Sequence, residues 1–222
     1  MKKIYCIGLL FVVGIAQSQN KIETKTHSIK DYPEGAYYSF DDFKEKKVRP
    51  MVNLKRVPIY GNDEIPKDSI VNQIFFYRVR DTTKFHDVFA VSFQGNLYFQ
   101  QKYLSKYAVK GNKNEAGENE NSYHRVIKDG KFFYLEGPFG NIWAKGLAYN
   151  MGAVGGALAA NINKLKGVIY DFDKKGFDFI KNCDDFNLFL KERNYNEPVD
   201  CKSKNYDIKL VRQTIDKIIK EN

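Results

Sequence analysis

Hydrophobic residues in this 222-residue chain come first as one unbroken block, then as short runs with strand-like alternation, and finally at helical spacing. After the opening block, residues 19–33 are polar and read as an extended leader. Gly35-Ala36-Tyr37-Tyr38 reads as a short strand. Ser39-Phe40-Asp41-Asp42 then supplies an N-cap serine with acids in the first turn, opening a helix through about Val48. Pro50 forbids its continuation, because the residue before a proline avoids helical angles. Residues 51–70 hold Pro58 and Pro66 and read as a loop with one short strand.

From Asn72 the pattern turns to β. Ile74 to Arg80 is rich in aromatic and β-branched residues. Val88–Phe93 and Leu97–Gln100 flank Gln94-Gly95-Asn96 and predict a hairpin. Tyr123–Ile127 and Phe132–Leu135 flank Lys128-Asp129-Gly130-Lys131, where Asp-Gly suits a type I′ turn. Val168–Phe172 and Phe177–Ile180 predict a third hairpin, while Gly111–Asn121 is a polar tract that reads as a loop.

Two helices follow. Asp184 or Asp185 can cap Phe186–Arg193, and Ile208, Val211, Ile215, Ile218 and Ile219 line one face of a helix over about Asp207–Lys220. Hairpins in succession make an antiparallel meander of about six to eight strands. The C-terminal helices cover one face, so the expected class is α+β, a single domain over residues 34–222.

The opening block points to export. Met1-Lys2-Lys3 is a positive flank, Ile4–Ala16 is an uncharged run of 13 residues, and Ala16-Gln17-Ser18 places small residues at a cleavage point before Gln19. These are the parts of a secretory signal, predicted over residues 1–18. A spanning helix needs about 20 apolar residues, which argues against an uncleaved anchor and against any transmembrane span in the mature chain. Cys6 lies inside the run rather than at the cleavage point, which argues against a lipoprotein. The destination is periplasmic, outer-membrane-associated or extracellular.

Charge changes the picture little. The chain carries +9, falling to +7 without Lys2 and Lys3, and its cations are interspersed with acids, as in Lys44-Glu45-Lys46-Lys47, Asp173-Lys174-Lys175 and Lys191-Glu192-Arg193. With no block of like charge this reads as a solvated surface, and no nucleic-acid partner is expected. Fifteen Tyr and 17 Phe exclude disorder for most of the chain. Cys183 and Cys201 are 18 positions apart, and export permits a disulfide between them, with two free buried thiols as the alternative.

The segment from Gly146 to Ala160 is uncharged and carries four glycines, including Gly152-x-x-x-Gly156. It is too short to span a bilayer, and its glycines weaken an exposed helix. It therefore reads as a helix or tight loop lying closely against the sheet, with insertion into a lipid surface or partner protein as the alternative. It lacks both dinucleotide and P-loop patterns.

Known chemical motifs are missing. His27, His86 and His124 have no zinc-protease spacing, and Asp171, Asp173 and Asp178 lack the glycine and glutamate of an EF-hand. No G-x-S-x-G occurs, and no catalytic, metal or cofactor residue is expected. Gly95–Gln100 matches a viral protease recognition site only in part. Because alternate side chains of a strand face opposite ways, Tyr77, Tyr98 and Tyr134 are candidates for an exposed aromatic row, with Trp143 as a further surface candidate. Core packing with cross-strand aromatic pairs is the competing account.

Glu34-Gly35-Ala36-Tyr37-Tyr38-Ser39-Phe40-Asp41-Asp42-Phe43, then Val88–Tyr98, then the Gly/Ala segment ahead of Tyr170-Asp171-Phe172-Asp173, together resemble a group of uncharacterised secreted Bacteroidetes proteins. These share a G-x-Y-x-S-F-x-D-F opening, and the likeness covers roughly residues 30–180. It implies an origin and a compartment, and carries no site residues. The expected function is a non-enzymatic exported domain binding an envelope glycan or protein, or an envelope-accessory subunit. The rival is a secreted hydrolase whose site only the fold assembles; it needs a cavity joining a titratable pair such as His124 and an acid.

Overall fold

The computed structural model describes residues 25–51, 53–109, 119–140, 164–195, 197–202 and 207–220. The predicted signal, the first part of the leader, the polar tract over 111–118, Trp143 and the Gly146–Ala160 segment lie outside the described residues.

Among the described residues nine strands form one sheet: β1 (Gly35–Tyr37), β2 (Leu54–Pro58), β3 (Gln73–Arg78), β4 (Ala90–Phe93), β5 (Asn96–Gln100), β6 (Tyr123–Lys128), β7 (Phe132–Gly137), β8 (Lys166–Asp171) and β9 (Gly176–Ile180). Four helices among the described residues accompany them: α1 (Phe40–Lys44), α2 (Gln101–Lys106), α3 (Cys183–Glu192) and α4 (Ile208–Lys220). All strand pairs are antiparallel, in the order β1-β4-β5-β6-β7-β8-β9. The α+β meander is therefore the architecture. Its one departure is a fork at β6, where β5 takes one edge while β3 and β7 divide the other.

The sheet is rolled. β5 and β9 are four ladder steps apart, about 19 Å in a flat sheet, yet the rings of Phe99 and Phe177 are 5.1 Å apart. Inward positions from β4 to β9 converge on one core, and Phe43 of α1 plugs it, in ring contact with Tyr32, Tyr37, Phe89, Phe99 and Tyr170. Outward positions are covered too. Ile74, Phe76, Val91, Tyr98 and Tyr123 form a second core with Leu54 of β2 and with Ile65, Phe85 and Val88 from the connecting segments. Phe132, Tyr134, Ile169 and Ile180 form a third under α3 and α4.

Several local expectations are corrected. The Gln94-Gly95 turn is the type I′ one, both residues being left-handed, whereas Gly130 sits at φ 152° and the last β6–β7 pair is Lys128 with Tyr134. Asp129-Gly130 instead docks the leader. His27 N–H donates to Gly130 O (2.7 Å), and Ser28 Oγ–H and Ile29 N–H donate to Asp129 Oδ2 (2.9 Å each). Residues 25–33 are thus not simply extended: Ile29–Asp31 is a 3₁₀ turn and Tyr32 enters the core. Helix α1 ends at Lys44, not Val48, because Lys46 turns left-handed (φ 54°) and brings Arg49 onto Ala36. Asn182, not an aspartate, caps α3 by accepting from Asp185 N–H (2.9 Å).

Cys183 and Cys201 are disulfide-bonded, with Cα atoms 5.5 Å apart. Asn187 holds the same strap, donating to Val199 O and accepting from Val199 N–H (2.9 and 2.8 Å). Cys201 is exposed to reductant. Reduction is expected to lower unfolding free energy by about 2–3 kcal/mol, read as a lower urea midpoint with dithiothreitol than without.

Candidate functional site

The expected tyrosine row does not form. Tyr98 and Tyr134 are both fully buried, in different cores: Tyr98 edge-on to Phe76 (5.3 Å), and Tyr134 donating to Glu136 Oε1 (2.9 Å). Tyr77 is half-buried on β3, edge-on to Phe75. Alternation leaves an exposed row only where one face of a sheet meets water, and the cores described above lie on both faces here.

His124 does not meet a cavity either. It sits at the fork of β6, fully buried, with Nε2 2.7 Å from Gln101 Oε1 and Nδ1 3.3 Å from Glu136 O. Ser122 and Gln73 join the same cluster: Ser122 Oγ–H donates to Gln101 Oε1, and Gln73 Nε2–H to both (3.0–3.2 Å). A Cβ at Gly137 would stand 2.5 Å from His124 Cε1, so the glycine makes room for the ring. Burial pushes the imidazole pKa down to about 3. Among the described residues no group of three His, Cys, Asp or Glu could hold a metal. Asp171 is buried: Oδ1 accepts from Asp173 N–H and Lys174 N–H (2.8 and 3.0 Å), and Oδ2 pairs with Arg193.

The site that the fold does assemble is a cavity of about 500 Å³ at one end of the roll. The docked leader forms one wall through Lys25, His27, Asp31 and Tyr32, with the His27 ring stacked on Phe172 at 3.5 Å. Helix α1 and its C-terminal turn give Phe43, Lys44 and Lys46; the β6–β7 turn gives Lys131; the β8–β9 hairpin gives Tyr170, Phe172, Asp173 and Lys175; Arg193 follows α3. Buried Tyr32, Phe43 and Tyr170 make an aromatic floor, and the exposed Lys25, Lys44, Lys46 and Lys175 make a basic rim.

Six cations therefore face two acids. Lys46 is 3.6 Å from Asp31, and Arg193 is held by Asp171. Among the described residues Lys25, Lys44, Lys131 and Lys175 have no carboxylate partner. Burial first, then Lys25 and Lys46, push the His27 pKa below its usual value. Lys46 and Lys175 both hold left-handed backbone (φ 54° and 53°), a conformation that glycine or asparagine takes more easily. Thr82, Asp87, Gln94 and Asn194, which do not line the cavity, take the same conformation.

No family model, no curated protein and no solved structure matches the chain. Among the described residues no helix is long and apolar enough to cross a membrane.

Proposed function

We propose that this protein is an exported binding module that captures an anionic ligand of the cell envelope in the basic cavity at the end of the rolled sheet. The carrying observation is the convergence of six cations, four of them without an acid partner among the described residues, on one concave site with an aromatic floor. A concave site with an excess of one sign of charge concentrates ligands of the other. Export is supported by the signal-like first 18 residues, by the resemblance to secreted Bacteroidetes proteins, and by a disulfide that an oxidising compartment maintains. His124 cannot serve the hydrolase reading, being sealed among Gln101, Glu136 and Phe139 away from the cavity, whose own titratable groups include His27, Asp31 and Asp173.

The test is retention of the purified protein on immobilised alginate and heparin against neutral dextran, across a salt gradient. Retention on at least one polyanion is expected, weakening with salt, and Lys131→Glu with Lys175→Glu should lower affinity about tenfold or more. Equal retention of the variant, or none on either polyanion at low salt, overturns the reading.

A further inference from the structure

The cavity floor carries two polar groups that the folded chain leaves unused. Tyr32 and Tyr170 are only 5 % and 2 % exposed, and both line the cavity. Neither phenolic hydroxyl has a hydrogen-bond partner among the described residues. The hydroxyls of Tyr37 (to Pro33 O, 2.8 Å), Tyr123 (to Phe85 O, 3.1 Å) and Tyr134 are, by contrast, held by the protein, whereas those of Tyr32 and Tyr170 are not sealed in the core and open to the cavity. Burial drives both phenol pKa values far up, with the neighbouring Tyr170 adding to the effect on Tyr32. Both hydroxyls therefore stay neutral and able to donate.

The cavity is thus polar in two different ways. Neutral phenols and ring faces line the floor, and ammonium groups with Asp31 and Asp173 stand at the rim. A bare anion would be served by the rim alone and would make no use of the phenols. A nonpolar aromatic ligand would use the floor and leave the charge idle. Building on the anion-capture reading, we infer that the ligand is an acidic sugar unit, a hexuronate. Its ring lies against Phe172 and the floor, its hydroxyls accept from Tyr32 and Tyr170, and its carboxylate is held by the rim lysines. The two carboxylates at the rim, Asp31 and Asp173, accept from further sugar hydroxyls.

The experiment is isothermal titration of the purified protein with short oligomers of galacturonate, glucuronate and mannuronate, and with the matching neutral hexoses, sodium acetate and inorganic phosphate. At least one hexuronate is expected to bind about tenfold or more tighter than its neutral counterpart and than either simple anion. Tyr32→Phe and Tyr170→Phe should each weaken it about three- to tenfold, the span of one neutral hydrogen bond. Their thermal stability should be unchanged or raised, because each lost hydroxyl has no partner in the free protein; a structural role would lower it. Acetate or phosphate binding as tightly as the sugar acid, or phenylalanine variants of undiminished affinity, overturns the inference. If every hexuronate fails while the lysine-dependent polyanion retention stands, the anion-capture reading survives and the acidic-sugar assignment falls.

Discussion

Replacing Arg212 by methionine is expected to lower unfolding free energy by about 3 kcal/mol, the low end for breaking a buried ion pair. The reason is Glu136 of β7, whose side chain is 2 % exposed. Arg212 of α4 grips it in a fork, Nε to Oε1 at 2.8 Å and Nη2 to Oε2 at 2.6 Å, and the Tyr134 hydroxyl donates to Oε1. Without the guanidinium the carboxylate keeps the Tyr134 hydroxyl as its donor and must hold its charge against a mostly apolar surround. Arg212 is itself 39 % exposed, so water reaches the vacated space and keeps the cost from the upper end. Urea unfolding followed by circular dichroism should show a lower midpoint at unchanged slope. Adding Glu136→Leu should restore most of the loss, since an apolar pair removes the orphaned charge. A single variant as stable as the parent would show the pair to be ornamental.

Acidification should cost still more, and through a different residue. His124 is neutral in the fold, with its pKa down near 3, while an unfolded histidine titrates near 6.5. Below pH 6.5 the unfolded chain binds a proton that the folded chain refuses, so stability is fully present above 6.5 and declines as pH falls towards 3. The slope is about 1.4 kcal/mol per pH unit, or about 3–4 kcal/mol by pH 4. His27, also lowered, adds a smaller effect of the same sign. Denaturant unfolding between pH 7 and 4.5, above most carboxylate titration, should show this slope. His124→Asn should flatten it whatever that variant does to stability at pH 7. An unchanged slope in the variant would place the acid sensitivity elsewhere.

Element type was largely written in local pattern. The three hairpins follow from aromatic and β-branched runs broken by short polar turns, and α4 from isoleucines at helical spacing, because each signal lies within ten residues or so of chain. What local pattern did not carry was the rolling of the sheet. Tyr98 and Tyr134 read as outward-facing by alternation, but the outward face is itself covered, at one end by α3 and α4 and at the other by the chain around Leu54 and Phe85. The Asp129-Gly130 pair read as a turn in its own right, and its partner lies 100 residues earlier in sequence. Helix α2 was missed because Gln100 supplies no side-chain cap.

The cavity was hidden for the same reason. Lys44, Lys46, Lys175 and Arg193 come from the very mixed-charge stretches that read as ordinary solvated surface. Folding separates those charges: Lys174 turns to Glu192, while Lys175 lines the cavity. Tyr32 and Tyr170, 138 positions apart, carry no shared motif, and no local reading would have paired them.

The two left-handed lysines bear on how such a protein can change over time. At positions 46 and 175 glycine would relieve the backbone outright, so the most stable sequence for this fold is not the one with the full basic rim. On the proposed anion capture, a lineage that ceased to need the ligand would drift towards glycine or asparagine at these two positions and grow sturdier.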